Sequence, residues 1–200
     1  MKCCMDRKIE ADFFNPPLQH LPLPYVRDWY SGACAVDGVP KNVRCYLLPR
    51  ILEFLALGEE VSMVGNEVAF RRLRAGDREA WNADQWDVLT RFRELYLDRN
   101  LTLEEHTDFL DDAICMFALA GWPLDDLLEQ VRAAEDAFLV NRLYHDWYEL
   151  WGYAAGVWVT AFWEAPEKSR MHAFYTSDEL LDRMAGVALS EVVVTCSPEM

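Results

Sequence analysis

Residues 101–132, LTLEEHTDFLDDAICMFALAGWPLDDLLEQVR, decide the fold class because two helix patterns follow one another there. Thr102 and Glu105 have the spacing of a capping box, which predicts a helix that begins at Thr102. The apolar stripe of that helix recurs at helical spacing, at Leu110, Ile114, Phe117 and Gly121. Leu124 opens a second pattern, which predicts the longest helix of the chain, running to Trp151. An apolar helix to Trp163 is expected to follow.

The rest of the chain carries the same helical signals. One helix is predicted to begin near Pro24 and to end before Asp37, and a second to cover Val39–Gly58 with Pro49 inside. A short helix is predicted over Asn66–Arg74, closed by Gly76. Two more are predicted to begin at N-caps, one at Asn82 and one at Ser177, the latter running to Ala188. The one β-like segment is Val192–Thr195, which cannot form a sheet alone. We therefore predict an all-α fold of about seven to nine helices packed as antiparallel hairpins. Residues 1–23 are expected to form an irregular arm and residues 24–200 a single helical domain.

The composition limits the classes of protein to which this chain can belong. Hydrophobic residues make up 52% of the chain and include eight Trp, which is enough for a buried core and argues against disorder. The longest uncharged aromatic run, Leu150–Trp163, is too short to span a bilayer. Met1–Phe14 is charged and lacks the apolar stretch of a signal peptide, so we expect a cytoplasmic protein with reduced thiols rather than a disulfide framework.

The negative charge is distributed unevenly along the chain. Residues 1–80 hold 11 Lys/Arg and 11 Asp/Glu, whereas residues 81–200 hold 8 and 23, so the net charge of −15 lies in the second part. The negative electrostatic field of this second part repels nucleic acid and anionic lipid, because phosphate contacts need Lys and Arg. It attracts a basic protein partner.

The acids of residues 104–129 form the candidate partner-binding set. On the predicted helix they recur at i, i+3 and i+7, opposite the apolar stripe, and others open the next helix. The set is Glu104, Glu105, Asp108, Asp111, Asp112, Asp125, Asp126 and Glu129. A solvated surface is the alternative, because acids at a helix N-terminus are also explained by the helix dipole alone.

No catalytic or metal-binding pattern competes with this surface. The chain has no G-x-S-x-G, P-loop, G-x-G-x-x-G, H-E-x-x-H or EF-hand pattern, and no Glu-x-x-His of a di-iron bundle. His106 borders the acidic face, where it could join acids in a metal site. His145 falls on the apolar face of the predicted long helix, which is typical of a core histidine held by Glu149. No cofactor is predicted.

Aromatic residues are dense around the predicted apolar helix. They are Tyr144, Trp147, Tyr148, Trp151, Tyr153, Trp158, Phe162 and Trp163. One helix face cannot bury them all. The helix is therefore expected to be sandwiched inside the fold, or else some rings serve as exposed interface anchors.

Residues 46–55, YLLPRILEFL, resemble a segment of a group of uncharacterised bacterial helical proteins. The hallmark of that group is an aromatic-Leu-Pro-Arg-Ile-Leu-Glu-Leu segment. A short helix and a Trp-containing amphipathic helix follow it, as Glu67–Leu73 and Trp81–Tyr96 do here. The resemblance covers roughly residues 25–100. It implies an all-α fold and a bacterial origin, and no activity.

By physical type, a small acidic chain without a signal peptide or a catalytic motif also resembles immunity proteins, which neutralise antibacterial toxins. Nuclease toxins of this kind present basic clefts that acidic immunity proteins cover. The expected function is therefore a non-enzymatic, cytoplasmic binding protein that neutralises a basic, nuclease-like toxin. The alternatives are an intracellular enzyme or regulator with a site near His106 or His145, and a helical adaptor or chaperone.

Overall fold

The computed structural model describes residues 7–31, 39–102, 109–149 and 157–195. Their regular secondary structure is helical, with no strand among them. The described α-helices are α1 Arg7–Asp12, α2 Leu23–Ser31, α3 Lys41–Ala56, α4 Ala83–Thr102, α5 Leu110–Ala120, α6 Leu124–Arg132, α7 Asp136–Tyr144, α8 Ala165–Tyr175 and α9 Asp178–Thr195. Short 3-10 turns lie at Leu18–His20, Asn66–Val68 and Arg78–Ala80, and a π-helical turn at His145–Glu149. The all-α prediction of about seven to nine helices is confirmed.

Several helix ends follow from local sequence, as predicted. The Asn82 side chain accepts a hydrogen bond from the Gln85 backbone N–H (2.8 Å), and the Gln85 side chain accepts one from the Asn82 N–H (3.2 Å), so the pair forms a capping box at the start of α4. Gly58 adopts a φ of 77° just beyond α3. The Glu59 N–H bonds the Phe54 carbonyl and the Gly58 N–H bonds the Leu55 carbonyl, which is a Schellman ending.

Other expected elements are wrong. Thr102 belongs to the end of α4, where its hydroxyl donates to the Asp98 carbonyl (2.9 Å), and α5 begins only at Leu110. Residues 66–74 form a 3-10 turn followed by turns, not an α-helix. Residues 157–163 are not helical, and Val192–Thr195 is the helical end of α9. Residues 7–12 of the expected irregular arm are helical.

The predicted long helix from Leu124 to Trp151 divides into α6 and α7, with residues 133–135 between them. Arg183 of α9 supplies the physical reason. Its guanidinium donates to the carbonyls of Arg132 (2.9 Å) and Ala134 (2.6 Å), and it pairs with the Asp136 carboxylate (2.6 Å). The carbonyls released at the end of α6 are thus satisfied by a side chain far away in sequence.

The contacts divide the chain into two compact units. Unit 1 comprises residues 1–96 and 116–123, and unit 2 comprises residues 97–115 and 124–200. In unit 1, Phe117 is fully buried between Phe70 and Tyr96 at ring distances of 5.6 and 5.8 Å. The core of unit 2 includes Leu110, Leu127, Leu139 and Met171, all with no exposed surface. A single domain over residues 24–200 stays a prediction.

Candidate functional site

Unit 2 carries nearly all of the net charge. Its residues include 20 Asp/Glu against 6 Lys/Arg, a balance of −14 out of −15 for the whole chain. The charge asymmetry seen along the sequence is therefore a property of one structural unit. No described helix combines the length and the apolar character that crossing a membrane requires.

Helix α6 presents three of the predicted partner-binding acids to solvent. Asp125, Asp126 and Glu129 are exposed, while Leu124, Leu127, Leu128 and Val131 form the buried face of the same helix. The Asp125 carboxylate, with 83% of its side chain exposed, pairs with Arg170 of α8. The division of α6 into an apolar and an acidic face follows the predicted pattern.

Of the five predicted acids that precede α6 in the sequence, the structure describes only Asp111 and Asp112. Glu104, Glu105 and Asp108 fall outside the described residues, as does His106. Asp112 is half-buried. The placement of Asp111 on a surface is wrong, because only 3% of this residue is exposed.

Asp111 is a structural anchor inside unit 2. Its Oδ2 accepts hydrogen bonds from the Thr160 backbone N–H (2.7 Å) and from the Trp163 indole N–H (2.9 Å). The carboxylate therefore fastens residues 160–163 to the first turn of α5. The spacing of the acids does not predict this burial, because α5 is buried almost all round and not only along its apolar stripe.

A second buried carboxylate, Asp146, lies in the π-helical turn after α7. Its Oδ1 is 3.1 Å from Arg142 Nε, and its Oδ2 accepts a hydrogen bond from the Leu110 backbone N–H (2.9 Å) at the start of α5. Arg142 has no exposed surface and Asp146 has 3%. Asp146 thus balances a buried guanidinium and caps α5 at the same time.

His145 lies beside this pair. Its Nδ1 is 3.5 Å from Asp146 Oδ1, and 24% of its side chain is exposed. The expected core histidine is therefore half-buried, with the Asp146 carboxylate as a neighbour. The Glu149 side chain, its predicted partner, lies outside the described residues.

Burial has the largest effect on the pKa values of Asp111, Asp146 and Tyr175. Desolvation raises the pKa of Asp111 from 3.8 to about 6, against the lowering effect of the hydrogen bonds from Thr160 and Trp163. Desolvation also raises the pKa of Asp146, and the Arg142 charge opposes that rise. Burial raises the pKa of the Tyr175 hydroxyl, and the charges of Asp111 and Asp146 raise it further. Sequence reasoning missed Arg142, Asp146 and Tyr175. The i, i+4 spacing of Arg142 and Asp146 is the signal that could have found the first two.

The aromatic residues near this cluster include both buried and exposed rings. Trp147 and Trp163 are 5% exposed, and Trp147 packs edge-on against Tyr175 at 5.4 Å. Tyr144 and Phe162 are 51% and 37% exposed. Some rings therefore fill the core of unit 2, while Tyr144 and Phe162 lie at its surface.

Two cavities are lined by residues other than those of the buried cluster. In unit 1 a cavity of about 290 Å³ is lined by Cys45, Leu48, Pro49, Leu52, Trp81, Asp84, Gln85 and Val88. In unit 2 a groove of about 480 Å³ is lined by Ala137, Val140, Asn141, Tyr144, Val187 and Ala188. Among the described residues, no three His, Cys, Asp or Glu side chains are grouped as metal ligands.

Comparison with known proteins returned no match: no family model, no curated protein and no solved structure matches this chain. The resemblances drawn from residues 46–55 and from the acidic composition stay predictions.

Proposed function

We propose that the protein is a non-enzymatic binding protein whose acidic unit 2 docks a basic protein, and that this protein is a nuclease-like antibacterial toxin. The observation that supports this most is the balance of 20 acidic against 6 basic residues in unit 2. A surface of this sign matches the basic cleft of an enzyme that acts on nucleic acid, since such an enzyme must attract phosphate. By covering that cleft the protein would act as a cytoplasmic immunity protein.

The docking surface assigned to α6 comprises Asp125, Asp126 and Glu129, all exposed. Asp111 is excluded from it by burial, and the Asp112 side chain is only partly accessible. The buried carboxylates have a structural role instead, because Asp111 and Asp146 fix α5 against the segments that carry Thr160 and Arg142.

The first experiment tests protection. A toxin encoded beside the gene is expressed in cells with and without this protein, and growth is measured. Restored growth together with a stoichiometric complex of the two purified proteins is expected. Growth arrest that persists although the protein is abundant would refute the immunity function.

The second experiment tests the docking surface by the rate of association. The triple variant Asp125→Lys, Asp126→Lys, Glu129→Lys should associate with the toxin at least about tenfold more slowly at low salt, and the difference should shrink as salt rises. The matched control is Glu60→Lys, Glu79→Lys, Asp87→Lys, which reverses three exposed acids of unit 1. Equal slowing by the two triple variants would mean that net charge, and not the α6 surface, controls association.

A further inference from the structure

The cavity of about 290 Å³ in unit 1 is lined by one face of α3 and by the beginning of α4. Helix α3 contributes Cys45, Leu48, Pro49 and Leu52, which recur at i, i+3, i+4 and i+7 and so share one face. An apolar cavity of roughly 150 Å³ is large enough to bind benzene. The cavity of unit 1 therefore has room for a bicyclic ring.

The far side of the cavity combines a fixed aromatic ring with an opening to solvent. Trp81 is 4% exposed, and its indole N–H donates to the Arg74 carbonyl (3.0 Å), which holds the ring in place. Val88 of α4 is 56% exposed, so the cavity is open on its side. The Arg44 guanidinium lies 5.7 Å from the centre of the Trp81 ring, but Arg44 is buried and does not line the cavity. A ligand can thus enter from solvent and reach an aromatic wall.

The proline inside α3 leaves a hydrogen-bond acceptor on the cavity face. Pro49 has no N–H and cannot donate to the carbonyl of Cys45, four residues before it. That carbonyl therefore lacks the donor that an α-helix normally supplies. Both residues line the cavity. A backbone acceptor released in this way is satisfied by water or by a ligand that carries a donor.

The polar side chains of the lining add a second acceptor, which is charged. Gln85 is already engaged, because its Nε2 donates to Cys45 Sγ (3.7 Å) and its Oε1 accepts from the Asn82 N–H (3.2 Å). The Asp84 carboxylate is exposed and is paired with no cation in the part of the chain that the structure describes. The strong polar groups left for a ligand are therefore a carbonyl and a carboxylate, and both of them accept.

On this basis we propose that the cavity of unit 1 binds a small aromatic amine as its ammonium ion, with the ring between α3 and Trp81 and the ammonium group at the Cys45 carbonyl and Asp84. An ammonium group has three donors and no acceptor, which matches this lining. A neutral ring would displace water and leave the carbonyl unsatisfied. An anionic ligand would meet the like charge of Asp84.

The probe is tryptamine, which joins a bicyclic ring to an ammonium group by a two-carbon arm. Its matched ligands have the same ring and arm but end in a methyl group or in a carboxylate. Binding to the full chain is measured by titration calorimetry at neutral pH. Tryptamine should bind at least about fivefold more tightly than the methyl analogue, and the carboxylate should bind most weakly. No saturable binding of tryptamine, or equal affinity for it and the methyl analogue, would overturn the proposal.

Asp84→Asn tests the charged acceptor. This variant should weaken tryptamine binding at least about threefold and leave the affinity for the methyl analogue unchanged. Asp87→Asn is the matched control, because it removes an exposed charge from the same helix at a position outside the lining. Equal effects of the two variants on tryptamine would mean that net charge, and not this site, attracts the amine.

Filling the cavity tests the place of binding. Val88→Trp or, independently, Leu52→Phe should weaken binding of tryptamine and of its methyl analogue at least about tenfold. Leu95→Trp is the control, since it adds the same large side chain to an exposed position of α4 that does not line the cavity. Circular dichroism checks the folding of each variant. Unchanged affinity in a folded filling variant would contradict binding in this cavity.

The Cys45 thiol gives a second readout that needs no variant. Saturating tryptamine should slow alkylation of Cys45 by N-ethylmaleimide, as followed by mass spectrometry of the peptide that contains it, at least about threefold. If both filling variants are unfolded, this protection decides, and an unchanged rate would overturn the proposal.

The amine site is independent of the binding function proposed for unit 2. The α6 charge reversal should leave tryptamine affinity unchanged, and Val88→Trp should leave toxin binding unchanged. A toxin that does not bind wild type therefore refutes the proposed function alone, and tryptamine that does not bind refutes the amine site alone.

Discussion

Arg142 and Asp146 form a buried ion pair one helical turn apart, with Arg142 Nε 3.1 Å from Asp146 Oδ1 and neither residue more than 3% exposed. The pair bridges the end of α7 and the π-helical turn that follows, and Asp146 also accepts the Leu110 N–H of α5. Three segments of unit 2 therefore depend on one carboxylate.

Removing one member of this ion pair should lower the stability of the protein. Arg142→Met leaves Asp146 as an uncompensated buried charge, so the free energy of unfolding should fall by about 3–5 kcal/mol. Urea denaturation followed by tryptophan fluorescence measures the loss. The double variant Arg142→Met/Asp146→Asn should recover part of it, because asparagine can still accept the Leu110 N–H.

Arg170→Met is the control for this change, since it breaks the exposed pair with Asp125 and should cost less than about 1 kcal/mol. A loss below 1 kcal/mol for Arg142→Met as well would contradict a desolvated pair.

The stability of the protein should depend on pH through Asp111. Its pKa rises from 3.8 to about 6 on folding, so the folded protein binds the extra proton more tightly between these values. The stabilisation from this group is complete below about pH 4 and is lost as the pH rises through 6.

The test compares wild type with Asp111→Asn, which cannot titrate. From pH 4 to pH 7, wild type should lose on the order of 2–3 kcal/mol relative to the variant. Thermal or urea unfolding at several pH values gives the difference, and Asp126→Asn controls for the loss of an exposed carboxylate. A difference that is constant with pH would show that Asp111 does not titrate in this range.

The structural features that could be predicted from the sequence are those that neighbouring residues determine. Asn82, Gly58 and the Ser177 cap mark helix ends correctly because each acts within a few residues. The β-branched run Val192–Thr195 suggested a strand, yet it continues α9. The β propensity of these residues predicts their structure only weakly, and the helix that precedes them continues through the run.

The missed features depend on residues far apart in sequence. Nothing local marks residues 133–135 as a break, because the chain there has no Gly or Pro. The burial of Asp111 likewise depends on Thr160 and Trp163, about 50 residues away. The acidic face of α6, by contrast, was predictable because hydrophobic periodicity alone determines it.

Arg183 should therefore be a strong determinant of the turn between α6 and α7. Arg183→Met removes its bonds to the Arg132 and Ala134 carbonyls and to Asp136, and should lower the free energy of unfolding by about 1–3 kcal/mol. Lys168→Met, which removes an exposed cation from α8, is the control and should change stability by less than about 0.5 kcal/mol. If both variants are equally stable, another interaction must hold this turn.

Replacing each of two glycines by alanine should change the stability of the protein in opposite directions. A Cβ at Gly76 would lie 2.6 Å from the Trp122 backbone nitrogen and 2.7 Å from the Gly121 carbonyl carbon, and backbone atoms cannot rotate away. Gly76→Ala should therefore destabilise unit 1 by about 1–3 kcal/mol. A Cβ at Gly186, inside α9, meets nothing within 4 Å, so Gly186→Ala should stabilise the protein by about 0.5–1 kcal/mol through helix propensity alone. Urea denaturation of both variants measures the two effects, and the same sign for both would contradict the close approach of Gly76 to Gly121 and Trp122.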